Sequence, residues 1–286
     1  MKKFNNTFII GDKSVLPWQN TFIIGDIHGG FKALIQVLEK SGFDYENDRL
    51  ISLGDLADGW SETHLVIEEL MKMKNLILLR GNHDEWALQA LSTAFLEDIQ
   101  MEDREAFKIA EKYYTASFFS MSGMGRAWYV HGGKGTEASY KARPDLICSH
   151  IKFLDAAHIY YIDVENRFFS HAGPSPHWGI EETPDAEFYW NRDFWQQTYS
   201  GQNPGREWEE VYIGHSPTLN HPSNKEDCTK PINRYNVWNM DTGACFHGKL
   251  SMMNIYTKEL FQSDPVRELY PDEYGRSSRT FNQLNP

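Results

Sequence analysis

The chain has 286 residues, 41% of them hydrophobic and 14% aromatic, enough for one large domain or two small ones and too much for a wholly disordered chain. A formal net charge of -12 speaks against non-specific nucleic-acid binding, because no counterions are released. A phosphate ligand would need metal ions or local arginines to reverse the field. No run approaches the ~18 apolar residues of a membrane span, no signal peptide is readable, and Cys148, Cys228 and Cys245 are too scattered for a disulfide framework, so a cytoplasmic protein without a membrane partner is expected.

The heptad NTFIIGD occurs twice, at Asn6–Asp12 and Asn20–Asp26. Each copy reads as a strand with a turn at Gly-Asp. The first is expected to be an edge strand or hairpin arm, since only the second continues into Ile27-His28-Gly29-Gly30. Phe31, Leu34, Ile35 and Leu38 then recur at helical spacing, with Gly42 as the stop. Leu50–Leu53 is the next strand and ends at Gly54-Asp55. Ser61 is placed to cap a helix carrying Val66, Ile67, Leu70 and Met71, and Leu76–Leu79 is a third strand ending at Gly81-Asn82-His83-Asp84. Alternation of strand and helix predicts an α/β start with parallel strands. Asp84–Lys112 and Pro144–Ala157 read as helical, with a glycine-rich break over Ser122–Gly135. Short strands return at Arg167–Ser170, Val211–Ile213 and Asn236–Asn239, and the tail from Ser263, with its prolines, is expected to be loosely attached.

Ligands of an open α/β sheet bind beyond the C-terminal ends of its strands. Those ends carry Asp26 and His28, Asp55 and Asp58, Asn82 and His83, and later His171 and His215. Carboxylate, amide and imidazole together suit Mn²⁺, Fe or Zn²⁺ rather than Ca²⁺. A single Gly-Asp dipeptide is usually only a turn. The order D-x-H, GDxxD, GNHD, HAG and GH, each directly after an apolar strand, carries the signal.

The motifs GDIHGG (25–30), GDLADGW (54–60), LRGNHDEW (79–86), SHAGP (170–174) and GHSPT (214–218) resemble those of the calcineurin-like metallophosphoesterases. Within them they look like the phosphoprotein phosphatase branch, which includes bacterial serine/threonine phosphatases and diadenosine tetraphosphatase. Pro217 stands where other branches carry a second histidine. The resemblance spans about residues 20–260. It implies a single domain with a calcineurin-like four-layer β-sandwich flanked by helices and a helical insertion at about 87–160. It also implies a centre of two divalent metal ions, Mn²⁺ first and Fe or Zn²⁺ next. Asp26 and His28 would hold the first metal, Asp55 would bridge, and Asn82, His171 and His215 would hold the second. A metal-bridging hydroxide would attack phosphorus, His83 would protonate the leaving group and Asp58 would orient His83.

The branch usually continues its second motif as D-R-G, the arginine gripping phosphate, whereas this chain has Gly59-Trp60. Arg192 in YWNRDF resembles a second family arginine, alone or with Arg80 or Lys134. Trp60 reads equally as a wall of the site or as core packing. The resemblance thus implies a bacterial serine/threonine protein phosphatase, with tyrosine phosphate also within reach, acting on phosphoprotein or small phosphate esters. The alternatives are a dinucleoside polyphosphate hydrolase, with Trp60, Trp86 and Trp128 as stacking surfaces, and a catalytically silent metal-binding scaffold.

Overall fold

The computed structural model describes residues 18–98, 103–115, 118, 124–221 and 228–277. The first NTFIIGD copy lies outside these residues. The second forms β1 (Thr21–Ile24), followed by α1 (Phe31–Ser41), β2 (Arg49–Ser52), α2 (Thr63–Leu70) and β3 (Asn75–Leu78). These strands pair in parallel, β2 between β1 and β3. A helical stretch then runs through α3 (Asn82–Asp98), α4 (Arg104–Tyr113), α5 (Met124–Trp128), α6 (Lys134–Lys141) and α7 (Ile147–Asp155). The second half supplies β4 (Tyr160–Ile162), β5 (Arg167–Ser170), α8 (Glu187–Trp190), α9 (Asp193–Tyr199), β6 (Glu210–Ile213), β7 (Ile232–Arg234), β8 (Val237–Asn239), β9 (Ser251–Asn254), β10 (Leu260–Gln262) and α10 (Val266–Leu269).

Among the described residues, ten strands divide into two mixed sheets, ordered β10-β9-β1-β2-β3 and β4-β5-β6-β8-β7. Alternation along the strands explains why the sheets stack. In β1, Ile23 joins a buried cluster with Ile51, Phe169, Tyr212 and Met253, while Phe22 and Ile24 join the helices on the other side. In β5 and β6, Phe169 and Tyr212 face the first sheet, and Phe168, Val211 and Ile213 pack against Phe188, Phe194 and Trp195 of α8 and α9. Side chains with a period of two, apolar on both faces, need cover on both faces. The result is helix, sheet, sheet, helix. Each fully buried Phe or Ile contributes about 1.5–3 kcal/mol, so the inter-sheet layer holds the two halves together.

Three local expectations change. Glu62 and not Ser61 occupies the α2 N-cap position. The Ser61 N–H and Oγ both donate to the Glu273 carboxylate at 2.9 and 2.7 Å. The glycine-rich stretch from Met124 is helical rather than open, kinking at His131–Gly132, where Gly132 takes φ of 112°. The tail is not loose through Ser277. Val266 and Tyr270 are buried, and the Tyr270 ring stacks on Trp60 with centroids 5.0 Å apart. An apolar helix turn and an aromatic ring behind the prolines outweigh what proline content suggested.

Candidate active site

The loops after β1, β2, β3, β5, β6 and β8 meet at one place, because β1, β2 and β3 run parallel to one another, as do β5, β6 and β8, and the two sheets stack with these ends together. Backbone bonds weld the loops. The Ile27 and His28 N–H groups donate to the Asp55 carbonyl at 3.0 and 2.8 Å, and Gly214 N–H donates to the His171 carbonyl at 2.8 Å. His28, Asp55, Asp58 and His215 all take positive φ, between 51° and 68°. Such backbone is sparsely populated for residues with a side chain and persists only where the surroundings enforce it. Gly81 is required by contact: a Cβ there would lie 2.1 Å from Asp55 Oδ1.

The structure brings Asp26, His28, Asp55, Asn82, His171 and His215 together, all nearly excluded from solvent. One potential ligand atom each from Asp26, His28 and Asp55 lies within 4.8 Å of the others, and the same holds for Asp55, His171 and His215. Asp55 is common to both groups. Its Oδ2 stands 3.5 Å from His28 Nε2 and 3.4 Å from His171 Nε2, and its Oδ1 accepts the His83 backbone N–H at 2.9 Å. Asn82 Oδ1 is 3.2 Å from His171 Nε2. Backbone carbonyls orient the rings. His28 Nδ1–H donates to Ala57 and Asp58 oxygens at 2.9 and 2.7 Å, His171 Nδ1–H to Leu53 O at 2.9 Å, and His215 Nε2–H to Trp190 O at 3.2 Å. Each ring therefore turns its other nitrogen toward the carboxylates, the arrangement that readies imidazole for a metal.

The donor set fits divalent cations, and its electrostatics say the same. Burial and the neighbouring Asp241 push the Asp26 carboxyl well above the usual carboxylate range. Burial pushes the same way on Asp55, but His171, His83 and His28 outweigh it and hold that carboxyl well below its usual range. Burial opposes charge on His171, yet Asp55 and Asp26 raise it to about 9. His28 falls to about 4, chiefly through burial. Crowded acids sharing protons with an imidazole are stabilised by a cation that displaces those protons, and His171 must lose its Nε2 proton before it can bind one.

Beside this cluster, His83 Nδ1 lies 2.9 Å from Asp58 Oδ2. Asp58 Oδ1 accepts bonds from Trp128 Nε1 at 2.8 Å and Thr136 Oγ1 at 2.7 Å. The helical stretch between the sheets' halves thus fixes the carboxylate that orients His83. Trp128 is consequently no stacking surface, and Trp60 is fully buried, donating Nε1–H to Ala244 O at 2.9 Å. Trp86 is half-buried and meets the His83 ring edge-on at 5.1 Å. It also contacts Trp190 at 5.0 Å and His131 at 6.0 Å.

The two expected arginines part company. Arg192 lies at the rim, donating from Nη1 to His215 O and Ser216 Oγ, both at 2.9 Å. Arg80 is not at the site. Its Nη1 donates to Tyr113 Oη at 2.9 Å and Glu85 Oε2 at 3.1 Å, and its Nη2 to the Asp155 and Leu154 carbonyls at 3.0 and 3.2 Å. It binds the end of β3 to the helical layer, so its assignment to substrate is corrected.

Some participants escaped sequence reading. Asp84 accepts N–H groups from Asp55, Leu56 and Gly81 at 2.8, 2.7 and 2.9 Å, and so shapes the loop that presents Asp55; burial and Asp55 raise its carboxyl to about 6. It stood inside GNHD and was readable as a candidate. Asp241, by contrast, was open to sequence reading as a residue to orient His215 or cap a turn; it follows β8, accepts the Gly243 N–H at 3.0 Å, and is raised to about 6 by burial. Arg276 carried no signal. It belongs to no motif and follows the last helix, yet its charge acts on His28, His83 and Asp58.

The sequence model of the calcineurin-like phosphoesterases matches residues 20–238. Serine/threonine-protein phosphatase 1 of Salmonella typhimurium is 35% identical over 77 residues, 27% of this chain and 35% of that protein. The symmetrical bis(5'-nucleosyl)-tetraphosphatase of Coxiella burnetii is 36% identical over 70 residues, 24% of each. The chain therefore matches about a third or less of these relatives' own length. A solved structure provisionally described as a diadenosine tetraphosphatase superposes with a TM-score of 0.56, covering 90% of this chain and 96% of the other at 15% identity, a likeness of fold.

Proposed function

Since this chain belongs to the calcineurin-like phosphoesterases, we propose that it hydrolyses phosphate monoesters, with phosphorylated serine or threonine of a protein as the leading substrate. The observation that supports this reading is the His83–Asp58 pair set beside the ligand groups centred on Asp55. Asp26, His28 and Asp55 would hold one divalent cation, and Asp55, Asn82, His171 and His215 a second, with Mn²⁺ the first choice. Such cations supply Lewis acidity and neutralise phosphate charge.

The chain's own residues supply the rest. Asp58 Oδ2 and His83 Nδ1 share one proton, which leaves Nε2–H to face the leaving oxygen. Burial pushes Asp58 up and His83 down, so the pair resists ionisation until a phosphate dianion arrives and favours the imidazolium. His83 then passes a proton to the leaving alkoxide. Arg192, at the rim beside His215, steadies phosphate. The Trp86–Trp190–His131 cluster next to His83 supports a second reading, hydrolysis of a dinucleoside polyphosphate, because it offers aromatic surface to a base.

Protein reloaded with Mn²⁺ and given phosphopeptides and diadenosine tetraphosphate side by side separates the readings. Phosphate release from peptides with intact dinucleotide is expected. Dinucleotide cleavage with idle peptides selects the second reading, and inertness toward both with metal bound leaves a silent scaffold. His83→Asn is expected to lose roughly 10²–10⁴-fold in kcat at unchanged metal content. Retained activity removes His83 from the acid role.

A further inference from the structure

Gly59 stands where the resemblance implied a phosphate-gripping arginine, and the structure shows what surrounds it. Gly59 takes φ of 145°, and a Cβ there would lie 2.9 Å from the His28 carbonyl oxygen. Its N–H donates to the Gly132 carbonyl at 2.9 Å. A Cβ on Gly132 would lie 2.8 Å from Arg276 Cγ and 2.9 Å from Gly59 N. Gly132 therefore leaves a face without a side chain on which the stem of Arg276 lies, while Gly59 lies close against His28.

Arg276 is anchored at its backbone, its N–H donating to Cys245 O at 2.8 Å. Its guanidinium is not. Among the described residues the buried Nε has no acceptor, Nη1 reaches only the Cys245 sulfur at 4.0 Å, and Cζ lies 5.5 Å from the centroid of the Phe246 ring. Among the described residues no carboxylate lies within 4.0 Å of it, although its charge reaches Asp55, Asp58 and Asp241. A guanidinium left unpaired in a recess is unfavourable, and cations bound by Asp55 and its neighbours make it more so by repulsion. An oxyanion between cation and guanidinium removes both penalties, and the planar fork matches a tetrahedral phosphate.

Resting on the phosphoesterase reading, we propose that Arg276 is the phosphate-binding arginine of this site, delivered by the C-terminal segment over the face that Gly132 leaves without a side chain. The competing role is that of a counter-charge for the buried acids. That role predicts a change in metal affinity and not in phosphate affinity.

The test is calorimetric titration of inorganic phosphate into Mn²⁺-loaded wild type, Arg276→Gln and Arg276→Lys, with Mn²⁺ affinity and thermal stability measured on each. The expected result is phosphate binding at least ~10-fold weaker in R276Q, intermediate in R276K, with Mn²⁺ binding as tight as in wild type or tighter. Phosphate affinity within twofold of wild type in both variants overturns the proposal. So does a loss of Mn²⁺ affinity that accounts for the phosphate loss. Should R276Q be unfolded, R276K carries the comparison alone. Wild type that binds Mn²⁺ but no phosphate overturns the phosphoesterase reading itself, and the Arg276 assignment with it.

Discussion

Asp55 Oδ2 stands about equally far from imidazoles contributed by opposite sheets, at 3.5 and 3.4 Å. That position suits a bridging ligand, since a carboxylate brings negative charge to two cations from one side chain. The spacing of GDxxD and its neighbours made this residue conspicuous in the linear chain. Arg80 shows the limit of such reading. It lies two residues before Asn82, yet its fork points into the helices and meets Tyr113, Glu85 and two carbonyls. A motif tells which residues are near a loop, not on which side of the sheet each lies. Arg80→Met is therefore expected to leave phosphate affinity unchanged and to lower unfolding free energy by about 3 kcal/mol, as expected for breaking a buried ion pair. Urea unfolding and phosphate titration of the variant check both halves of that statement.

At the scale of elements, the strands were the most legible. Short apolar runs ending in Gly-Asp, Gly-Asn or Gly-His have few alternatives when both faces must be buried. The C-terminal segment was the least legible. Prolines and charges suggested detachment, but Val266 is buried and Tyr270 covers Trp60, with its hydroxyl accepting the Lys32 N–H at 3.0 Å. A ring that caps a four-residue helix leaves too short a run for periodicity to show. Tyr270→Ala is expected to lower stability by about 3 kcal/mol. Because the same segment carries Arg276, it should also weaken phosphate binding. A variant that melts like wild type, or that binds phosphate normally while destabilised, would show the segment is not a unit.

The whole molecule buries several histidines in neutral form. His150 is fully enclosed, with Nδ1 2.7 Å from Tyr140 Oη and Nε2 3.0 Å from Glu68 Oε1, and burial lowers its pKa from 6.5 despite the Glu68 carboxylate. His158 is lowered by burial as well. A base whose folded pKa is depressed binds fewer protons folded than unfolded, so its contribution to stability falls as pH drops below about 6.5. Between pH 7.5 and 5.5 the urea midpoint of His150→Gln should therefore fall less, or rise more, than that of wild type. An unchanged slope in the variant would mean His150 takes its proton without unfolding. Among the described residues no helix is long and apolar enough to cross a membrane.

The order of strands within each sheet came from the structure, whereas the sequence by itself determined the alternation of parallel strands and helices in the first half and the loops carrying Asp26, His28, Asp55, Asn82, His171 and His215. These are local properties: a period of two, a glycine at a turn, a ligand one or two residues beyond it. Tertiary structure alone decided what reaches those loops from elsewhere. Trp128 and Thr136 meet Asp58 across 70 and 78 residues of chain, and Arg276 enters over Gly132 from the far end. No spacing rule encodes such encounters, because they depend on how packed layers bring distant segments to one cleft. The physical division is between chemistry written into a strand's own end and chemistry assembled only when the core closes.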